Sequence, residues 1–447
     1  MTGQLRARVS RSARMSALAR GLRGFVRGGS AAATATGTAT AKAIRPIEDH
    51  VAQLRQVTFV PSPRSGYRLN LVVPTLDAAR TFGGIRTAID LFEAIAGDSV
   101  ERRIVSVGRN TSGAEAAVPA YSRVVNGEDP AEPLQLVALD RPNAPLAIRE
   151  DDVFVATYWT TAELVGRIRA WQADTFGRPA GFAAYVIQDF EPGFFAWSAQ
   201  WLLARATYDA SAETVAIFNT SLLRDHFHAS GIGFEHEFAF EPRLLPALRA
   251  AMAAPAVPRS KTIVVYGRPG IPRNAFPAIV DGLRAWRASD PNAAEWTVIS
   301  VGEVHPDIDV GGGVVLRSIG KLDLKAYAAL LRGSAIGISL MVSPHPSYPP
   351  LEMAHLGMLV LTNGFGAKDL SRWHDNIRSV ADVSAATLAS ELSALCRRFE
   401  ADPEVGERGR SARPDFTSDE PQFQFAPEVA GLLRRGSAPV RRGSAPD

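Results

Sequence analysis

Short apolar runs alternate with longer stretches of helical spacing from about residue 68 onward. Apolar runs bounded by glycine, proline or polar clusters predict buried strands, and apolar positions three and four residues apart predict helices. The predicted strands are Leu69–Pro74, Arg103–Val107, Leu134–Leu139, Val153–Thr157, Ala183–Gln188 and Thr214–Asn219. The predicted helices are Ile85–Ala96, Thr161–Ala173, Ala196–Ala206 and Thr220–Ala229. This alternation predicts a doubly wound parallel sheet.

The alternation stops at residues 241–260, which end rich in Ala and Pro, and then resumes. The second set of predicted strands is Thr262–Tyr266, Trp296–Val301, Val314–Arg317, Ala335–Leu340, Met358–Leu361 and Arg378–Val380. Its helices are Ala275–Arg287, Leu324–Leu331, Leu351–Leu356 and Ala385–Phe399. The sequence therefore predicts an α/β fold of two Rossmann-like domains, residues 48–240 and 261–433, joined by a linker at 241–260. A ligand is expected in the cleft, at the C-terminal ends of the strands of both sheets.

Charge is unevenly distributed along the 447 residues. Residues 1–47 contain eight Arg and one Lys and no acidic residue, and residues 434–447 carry a net charge of +3. Since the whole chain has a formal charge of +3, the part between them is −9. An acidic body argues against nucleic-acid binding. The single cysteine, Cys396, excludes an internal disulfide and predicts a cytoplasmic protein.

The basic residues 1–47 support three interpretations. The first is a disordered leader, and the second is an amphipathic segment in peripheral contact with the anionic inner face of a membrane. The third is an organelle transit peptide, for which an Arg- and Ser-rich, acid-poor composition is typical. Residues 434–447, with a repeated RRGSAP, are predicted to form a disordered basic tail. No apolar run approaches the roughly 20 residues that a membrane helix needs.

Three predicted loops at strand ends carry groups suited to phosphate. Gly83 and Gly84 follow the first strand and open the first helix, where glycine permits close approach to a phosphate or forms a plain turn. Arg268 lies in the matching loop of the second domain, and Lys321 follows the strand that ends at Arg317. Both cations could neutralise a diphosphate, or both could be solvated surface residues. The spacings GxGxxG and GxxxxGK[ST] are absent from the sequence, which disfavours a nicotinamide cofactor and a P-loop NTPase.

Two first-domain loops carry groups that could contact a sugar. Asp189 and Glu191 follow a predicted strand, where a carboxylate could act as a base, hold a sugar hydroxyl or cap the loop. Tyr158 and Trp159 end another strand, where an exposed aromatic ring would stack on a sugar and a buried one would belong to the core.

The segment Ser343–Gly364 combines a proline-dense loop, a short helix and a buried strand. Glu352 lies near the N-terminus of that helix. A rigid loop followed by a helix N-terminus suits a phosphorylated, hydroxylated ligand, although an ordinary helix–strand pair has the same pattern.

Metal-binding patterns are weak. Asp307 and Asp309 have the D-x-D spacing of metal-dependent sugar transferases, but the Gly-rich surroundings predict a solvated loop. The eight His residues show no H-E-x-x-H spacing. We therefore predict that the protein has no metal site.

Several of these motifs occur together in one known family. The order FGGI, YVIQDFEP, YGRP near RN, GK and SPHPSYPPLEMA resembles the GT-B glycosyltransferases of family 4, and in particular the rhamnan-synthesis rhamnosyltransferases. The resemblance covers roughly residues 66–420. It implies a retaining, metal-independent transferase without a cofactor, which moves a sugar from a nucleotide-diphosphate donor, dTDP-L-rhamnose, to a growing polysaccharide, a glycan or a lipid-linked glycan.

The resemblance also implies roles for individual residues. The second domain would bind the nucleotide, with Arg268 and Lys321 on the diphosphate and with Glu352 and Tyr348 on the sugar or nucleoside. Gly83 and Gly84 would close over the phosphates, and the acceptor would meet Asp189, Glu191, Tyr158 and Trp159. Many family members have a second Glu eight positions after the first to hold the ribose, but this chain has Val360. That departure is compatible with a deoxyribose nucleotide.

Two other functions fit the same features. A sugar-nucleotide epimerase of this fold would rearrange or hydrolyse its donor without an acceptor. A carbohydrate-binding scaffold without activity would bind and not turn over.

Overall fold

The computed structural model describes residues 51–437 apart from 52–53, 55, 77–82 and 109–112. These residues lie in one compact unit, Ile47–Asp447. The predictions for the leader at 1–47, for Phe82 and for residues 438–447 of the tail lie outside the described residues.

The first domain is built on a sheet of eight parallel strands. The described residues of this domain form ten strands, which are β1 (Val57–Pro61), β2 (Arg68–Val73), β3 (Glu101–Ser106), β4 (Ser122–Arg123), β5 (Leu134–Ala138), β6 (Ala144–Ile148), β7 (Asp152–Ala156), β8 (Ala183–Ile187), β9 (Thr214–Phe218) and β10 (His236–Ala239). Strands β1 and β6 form a separate parallel pair, and the other eight form the large sheet. The order in the large sheet is β10-β9-β8-β7-β2-β3-β5-β4. Every pairing within it is parallel.

Helices cover both faces of this sheet. They are α1 (Gly84–Ala96), α2 (Ala114–Ala117), α3 (Trp159–Phe176), α4 (Ala199–Ala206) and α5 (Ser221–Ala229), and α6 (Pro246–Met252) follows them in the chain. Alternate residues of a strand point to opposite faces, so Leu71 enters one core and Val72 the other. All six residues of β2 are buried, as expected of a central parallel strand covered on both sides.

The second domain has a seven-stranded sheet. Its strands are β11 (Ser260–Gly267), β12 (Thr297–Gly302), β13 (Ile308–Gly311), β14 (Val314–Gly320), β15 (Ser334–Ile338), β16 (Leu359–Asn363) and β17 (Ile377–Val380). Their order is β13-β14-β12-β11-β15-β16-β17. The helices of this domain are α7 (Phe276–Ser289), α8 (Leu324–Gly333), α9 (Pro349–His355) and α10 (Ala385–Ala401). The predicted α/β class, with two Rossmann-like domains, is confirmed.

The segment that contains Asp307 and Asp309 is not the loop that the sequence predicted. Strand β13 pairs antiparallel with β14 at the edge of the sheet. The glycines at 311–313, which suggested a loop, instead form the turn between these two strands, and all three have positive φ. Asp307 and Asp309 are exposed, as predicted, on the edge of the sheet farthest from β17.

The last described helix corrects two predicted boundaries. Helix α11 (Ala426–Ser437) returns to the first domain, where Val429 and Leu433 are fully buried in the same core as Leu71. Residues 426–433 therefore do not belong to the second domain, and the start of the predicted disordered tail, Arg434–Ser437, is helical. Residues 426–433 follow the second domain in chain order, and chain order does not show which core the apolar residues of a helix enter.

Two stretches of chain connect the domains, and they lie side by side. The Leu244 amide donates to the Phe416 carbonyl at 2.8 Å, and the Gln422 side-chain amide donates to the Glu241 carbonyl at 2.8 Å. The rings of Phe240 and Phe423 meet edge to face, with centroids 5.1 Å apart. The predicted linker is thus one of a hydrogen-bonded pair of connections.

Candidate active site

Loops from both domains meet at the C-terminal ends of their strands. Asp189 lies in the loop after β8, and its carboxylate forms an ion pair with Arg273 from the loop after β11. The Ser343 hydroxyl, from the loop after β15, donates to the other oxygen of Asp189 at 2.6 Å. A single first-domain carboxylate therefore binds two loops of the second domain.

The loop that carries Arg273 is held rigidly. The buried Asn274 side chain accepts from the Arg268 amide at 2.7 Å and donates to the Leu340 carbonyl at 3.2 Å. The Val342 amide donates to the Arg273 carbonyl at 2.7 Å, so the loops after β11 and β15 are tied together. The Arg273 guanidinium carbon lies 4.0 Å from the centre of the Phe194 ring, a cation–π contact with the first domain.

The proline-dense loop folds on its own polar groups. The His345 amide donates to the Ser343 hydroxyl oxygen at 3.0 Å, and the Ser347 amide donates to His345 Nδ1 at 3.0 Å. Because Nδ1 accepts, the proton of the neutral ring lies on Nε2, which is buried and has no hydrogen-bond partner among the described residues. Burial lowers the pKa of His345 to about 4, so this ring is neutral at physiological pH.

Glu352 lies at the centre of a second polar cluster. It occupies the first turn of α9, is 8% exposed and accepts a hydrogen bond from the Tyr327 hydroxyl at 3.2 Å. Burial raises its pKa to about 7. Burial raises the pKa of the Tyr266 hydroxyl, Arg268 lowers it and Glu352 raises it further, so both charged groups lie near this hydroxyl. Tyr348 directly precedes α9, and burial raises its pKa to about 12, with a smaller effect from Glu352.

The two predicted glycines lie at the opposite wall, at the start of α1. Gly83 has φ 60°, in the left-handed region that favours glycine. A Cβ on Gly84 would lie 1.8 Å from the side-chain oxygen of Gln188, the residue before Asp189. A side chain at position 84 would therefore have to displace the end of the Gln188 side chain.

Lys321 is separated from the other predicted cation. It is exposed directly after β14, and β14 lies two strands away from β11, which leads to Arg268. Strands in a sheet are about 4.8 Å apart, which puts roughly 10 Å between the two strand ends. The structure thus brings Arg268, Tyr348 and Glu352 to one part of the second domain and places Lys321 farther along the sheet edge.

Two of the four predicted acceptor residues are buried, which corrects the expectation that they face a ligand. Trp159 is fully buried and packs edge to face on Phe195, with centroids 5.8 Å apart. Glu191 is 1% exposed, and its carboxylate accepts from the Trp159 amide at 2.5 Å and from the Tyr185 hydroxyl at 2.8 Å. Burial raises the pKa of Glu191 to about 8. Trp159 begins α3, so its ring lies against the domain instead of lining the cleft.

Glu191 nevertheless fixes the position of the loop that carries Asp189. It joins the first turn of α3 to the short 3-10 helix Glu191–Phe194, two residues after Asp189. Tyr158 is half-buried and its ring stacks on Phe194, with centroids 6.2 Å apart. Tyr158 therefore lies one ring away from Arg273, and its predicted contact with an acceptor remains a prediction.

Two family models match the chain in the order of its two sheets. The model described as the WsaF N-terminal domain matches residues 68–221, and the model described as the WsaF C-terminal domain matches residues 261–393. Together they cover well over half of the chain. The chain belongs to the WsaF family. This confirms the predicted class, a GT-B glycosyltransferase, while membership of family 4 stays a prediction.

One relative of this WsaF-family chain is a much longer protein, and the similar solved structures have low sequence identity to it. It is 31% identical over 229 residues to the O-antigen biosynthesis protein RfbC of Myxococcus xanthus, a match that covers 50% of this chain and 16% of that protein. WaaG, a glycosyltransferase involved in lipopolysaccharide biosynthesis, is similar over 82% of this chain and 99% of its own, with 11% identity and a TM-score of 0.49. HepE of Anabaena, in complex with UDP, is similar over 83% and 98%, with 11% identity and a TM-score of 0.48.

Sequence reasoning missed three polar residues of the WsaF-family cleft. Arg273 lies in the loop singled out for Arg268, and Ser343 and His345 lie in the proline-dense segment. Only their position in conspicuous loops could have identified them. A fourth, Lys368, carried no signal: its ammonium donates to the Met341 carbonyl at 2.6 Å, it is 2% exposed, and burial lowers its pKa to about 7.

The described part of the WsaF-family chain has neither a cluster of metal ligands nor a membrane-spanning helix. Within it, no group of three or more His, Cys, Asp or Glu side chains is placed to hold a metal ion. Within the same ranges, no helix is both long and apolar enough to cross a membrane.

Proposed function

We propose that this protein transfers L-rhamnose from dTDP-L-rhamnose to a growing polysaccharide or glycan, with retention of anomeric configuration and without a metal ion or other cofactor. The observation that carries the proposal is the contact of the Asp189 carboxylate with Arg273 and Ser343 in the cleft. It joins a candidate acceptor-side carboxylate to a candidate donor-side cation.

The donor would bind to the second domain. Arg268 and Arg273 lie on one rigid loop at the end of β11, and amides and cations at such a site suit a diphosphate. Glu352 and Tyr348 would hold the sugar or nucleoside, and Lys321 would add positive charge at the outer edge. Gly83 and Gly84 would cover the phosphates from the first domain.

The leaving group requires stabilisation as the glycosyl–phosphate bond breaks. Negative charge then develops on the departing diphosphate, and fixed cations in a water-poor cleft stabilise it in the transition state. A bound diphosphate would compete with Asp189 for Arg273. The Asp189 carboxylate would then be available to accept a hydrogen bond from the acceptor hydroxyl and to orient it.

The acceptor is inferred from the name of one relative. The O-antigen biosynthesis protein RfbC, to which half of the chain is similar, is named for polysaccharide assembly. A glycan or lipid-linked glycan acceptor follows for this chain as part of the proposal. The one cysteine among the described residues, Cys396, is buried and free, in keeping with a cytoplasmic location.

A donor and acceptor screen tests the proposal. The full chain is incubated with dTDP-L-rhamnose, with UDP- and GDP-sugars, and with or without rhamnose-containing oligosaccharides. We expect transfer from dTDP-L-rhamnose alone, with a β-linked product from the β-linked donor by NMR, since retention preserves the anomeric configuration. Donor consumption that does not depend on an acceptor would indicate the epimerase, and binding without turnover would indicate the scaffold.

A further inference from the structure

The loop after β15, which carries Ser343, is held at one peptide group. The Met341 carbonyl oxygen accepts from the Lys368 ammonium at 2.6 Å and from the Asn363 side-chain amide at 3.1 Å. The Ser343 amide donates to the same oxygen at 3.0 Å, and the Met341 amide donates to the Asn363 side-chain oxygen at 2.6 Å. Side chains from the end of β16 and from the loop after it thus hold both polar groups of the Met341 backbone. We call these contacts the Met341 clamp.

The loop that supplies Lys368 is itself fixed to the sheet. The backbone groups of Phe365 and Lys368 form two hydrogen bonds with each other, at 3.0 and 3.1 Å. The Gly364 amide donates to the Val380 carbonyl of β17 at 2.8 Å. Gly366, in the turn between Phe365 and Lys368, has φ 57°, in the left-handed region that favours glycine. The Lys368 side chain therefore reaches Met341 from a rigid base.

Stability alone does not explain an ammonium group at position 368. Lys368 is 2% exposed, and burial lowers its pKa to about 7, while the negative charge of Asp189 acts in the opposite direction. Burying an ammonium costs free energy that an apolar side chain of similar length does not. A methionine would fill the same space without that cost, so the ammonium is explained by its contact with Met341.

The Met341 clamp determines where Ser343 meets Asp189. Ser343 follows Met341 by two residues, and its hydroxyl donates to the Asp189 carboxylate at 2.6 Å. In the proposed reaction a bound diphosphate competes with Asp189 for Arg273. Of the contacts that Asp189 makes with the described part of the second domain, the hydrogen bond from Ser343 would then remain. Its position would decide how the carboxylate is presented to an acceptor hydroxyl.

A second contact connects the loop of Lys368 with the loop of Asp189. The rings of Phe365 and His226 lie with centroids 6.0 Å apart. His226 belongs to α5 of the first domain and packs edge to face on Phe190, with centroids 5.0 Å apart. Phe190 directly follows Asp189, so the loop of Lys368 supports the Asp189 loop from two sides.

We propose that Lys368 is a positioning residue for transfer, whose ammonium holds the Met341 carbonyl so that Ser343 fixes the orientation of the Asp189 carboxylate. Its effect on turnover rests on the proposed function. The effect on the loop after β15 does not, and it can be measured without a substrate.

Hydrogen exchange of the full chain tests the effect on the loop. Lys368→Met removes the ammonium and keeps a side chain of similar length. Val342 in the clamped loop is 44% exposed, so the loop can open locally while the domain stays folded. We expect peptides that cover residues 341–347 to exchange about tenfold faster in this variant, since a charge-assisted hydrogen bond is lost. Lys325→Met, at an exposed position of α8, is the matched control and should exchange as wild type.

Kinetics test the effect on transfer. Lys368→Met should lower turnover by about tenfold or more at saturating donor, because a carboxylate displaced by a fraction of an ångström orients the acceptor poorly. The affinity for dTDP should be unchanged, since Asn274 holds the loop of Arg268 independently. Ser343→Ala should lower turnover as well. In the Ser343→Ala background Lys368→Met should have little further effect, because both residues act on the same carboxylate.

The outcomes separate the positioning role from a structural role and from a failure of the proposed function. Unchanged exchange at 341–347, a matching loss of dTDP affinity, or effects of Lys368→Met and Ser343→Ala that multiply would overturn the role of Lys368. A wild type that transfers no sugar would refute the proposed function, and the exchange rates would still decide whether Lys368 holds the loop. Lys368→Gln, which ends one bond short of the ammonium nitrogen, should show the same effects and serves if the Met variant does not fold.

Discussion

Asp189 and Arg273 form an ion pair across the cleft although they are 84 residues apart in the chain. Each belongs to a different domain, so the pair forms only when the two sheets approach one another. Ser343 donates to the same carboxylate, which fixes its orientation. The negative charge that the sequence assigned to acceptor binding is thus neutralised by the second domain in this structure.

Replacing Asp189 by Asn separates acceptor orientation from donor binding. Asn keeps the size of the side chain but removes the charge that would hold an acceptor hydroxyl. We expect a loss of turnover of about a hundredfold or more, with dTDP affinity equal to or tighter than wild type because Arg273 is released. Initial rates and calorimetric titration measure the two effects. A parallel loss of dTDP affinity would mean that Asp189 is structural.

The cations of the second domain are expected to stabilise the leaving diphosphate. Arg268→Ala, Arg273→Ala and Lys321→Ala should each reduce turnover by about a hundredfold, the cost of one preorganised contact of this type. Double variants should lose less than the product, because contacts to one diphosphate are not additive. Arg284→Ala, at an exposed position of α7, is the matched control.

Chelation supplies the test of metal independence. Turnover by the wild type should be the same with and without EDTA. An enzyme that EDTA inactivates and manganese restores would contradict the proposed mechanism and would implicate Asp307 and Asp309.

Donor affinity should depend on pH through Glu352. Its pKa of about 7 means that the side chain is mostly protonated at pH 6 and mostly ionised at pH 8. The ionised form accepts hydroxyl hydrogen bonds more strongly, so affinity should rise by up to about tenfold across this range. Glu352→Gln should show a flat profile in the same titration. An unchanged slope in that variant would exclude Glu352 as the titrating group.

Stability should depend on pH through Glu191. Burial raises its pKa from 4.5 to about 8, so the folded state binds the proton more tightly than the unfolded state. The free energy of unfolding should therefore fall as pH rises from about 4.5 to about 8, by on the order of 5 kcal/mol, and level off above. Urea titrations of the full chain measure this. Glu191→Gln should flatten the curve, whereas the exposed Glu128→Gln should follow wild type.

Most strands and helices of the two domains could be predicted from the sequence, because both faces of each sheet are covered and the central strands are therefore continuous apolar runs. Continuous apolar runs such as Thr214–Phe218 are fully buried, and the predicted strand there differs by one residue. The pair β1 and β6 was missed, since these strands form a small sheet of their own and β1 is only partly buried.

The candidate site was less predictable than the fold. A motif places Arg268 and Arg273 in one loop, but only the folded chain shows which of the two meets Asp189. Exposure also depends on tertiary contacts: Trp159 looks accessible at a strand end, yet Ala204 from a distant helix packs against it. Sequence spacing could therefore identify the cleft loops, whereas the pairing of charges within them could not be deduced.

The side-by-side connections between the domains determine how the cleft can open. Because the stretches around Leu244 and Phe416 are hydrogen-bonded to each other, and helix α11 is anchored in the first core, neither connection can bend independently of the other. Any change in the angle between the two domains would therefore bend both connections together, and it would change the distance between Asp189 and Arg273.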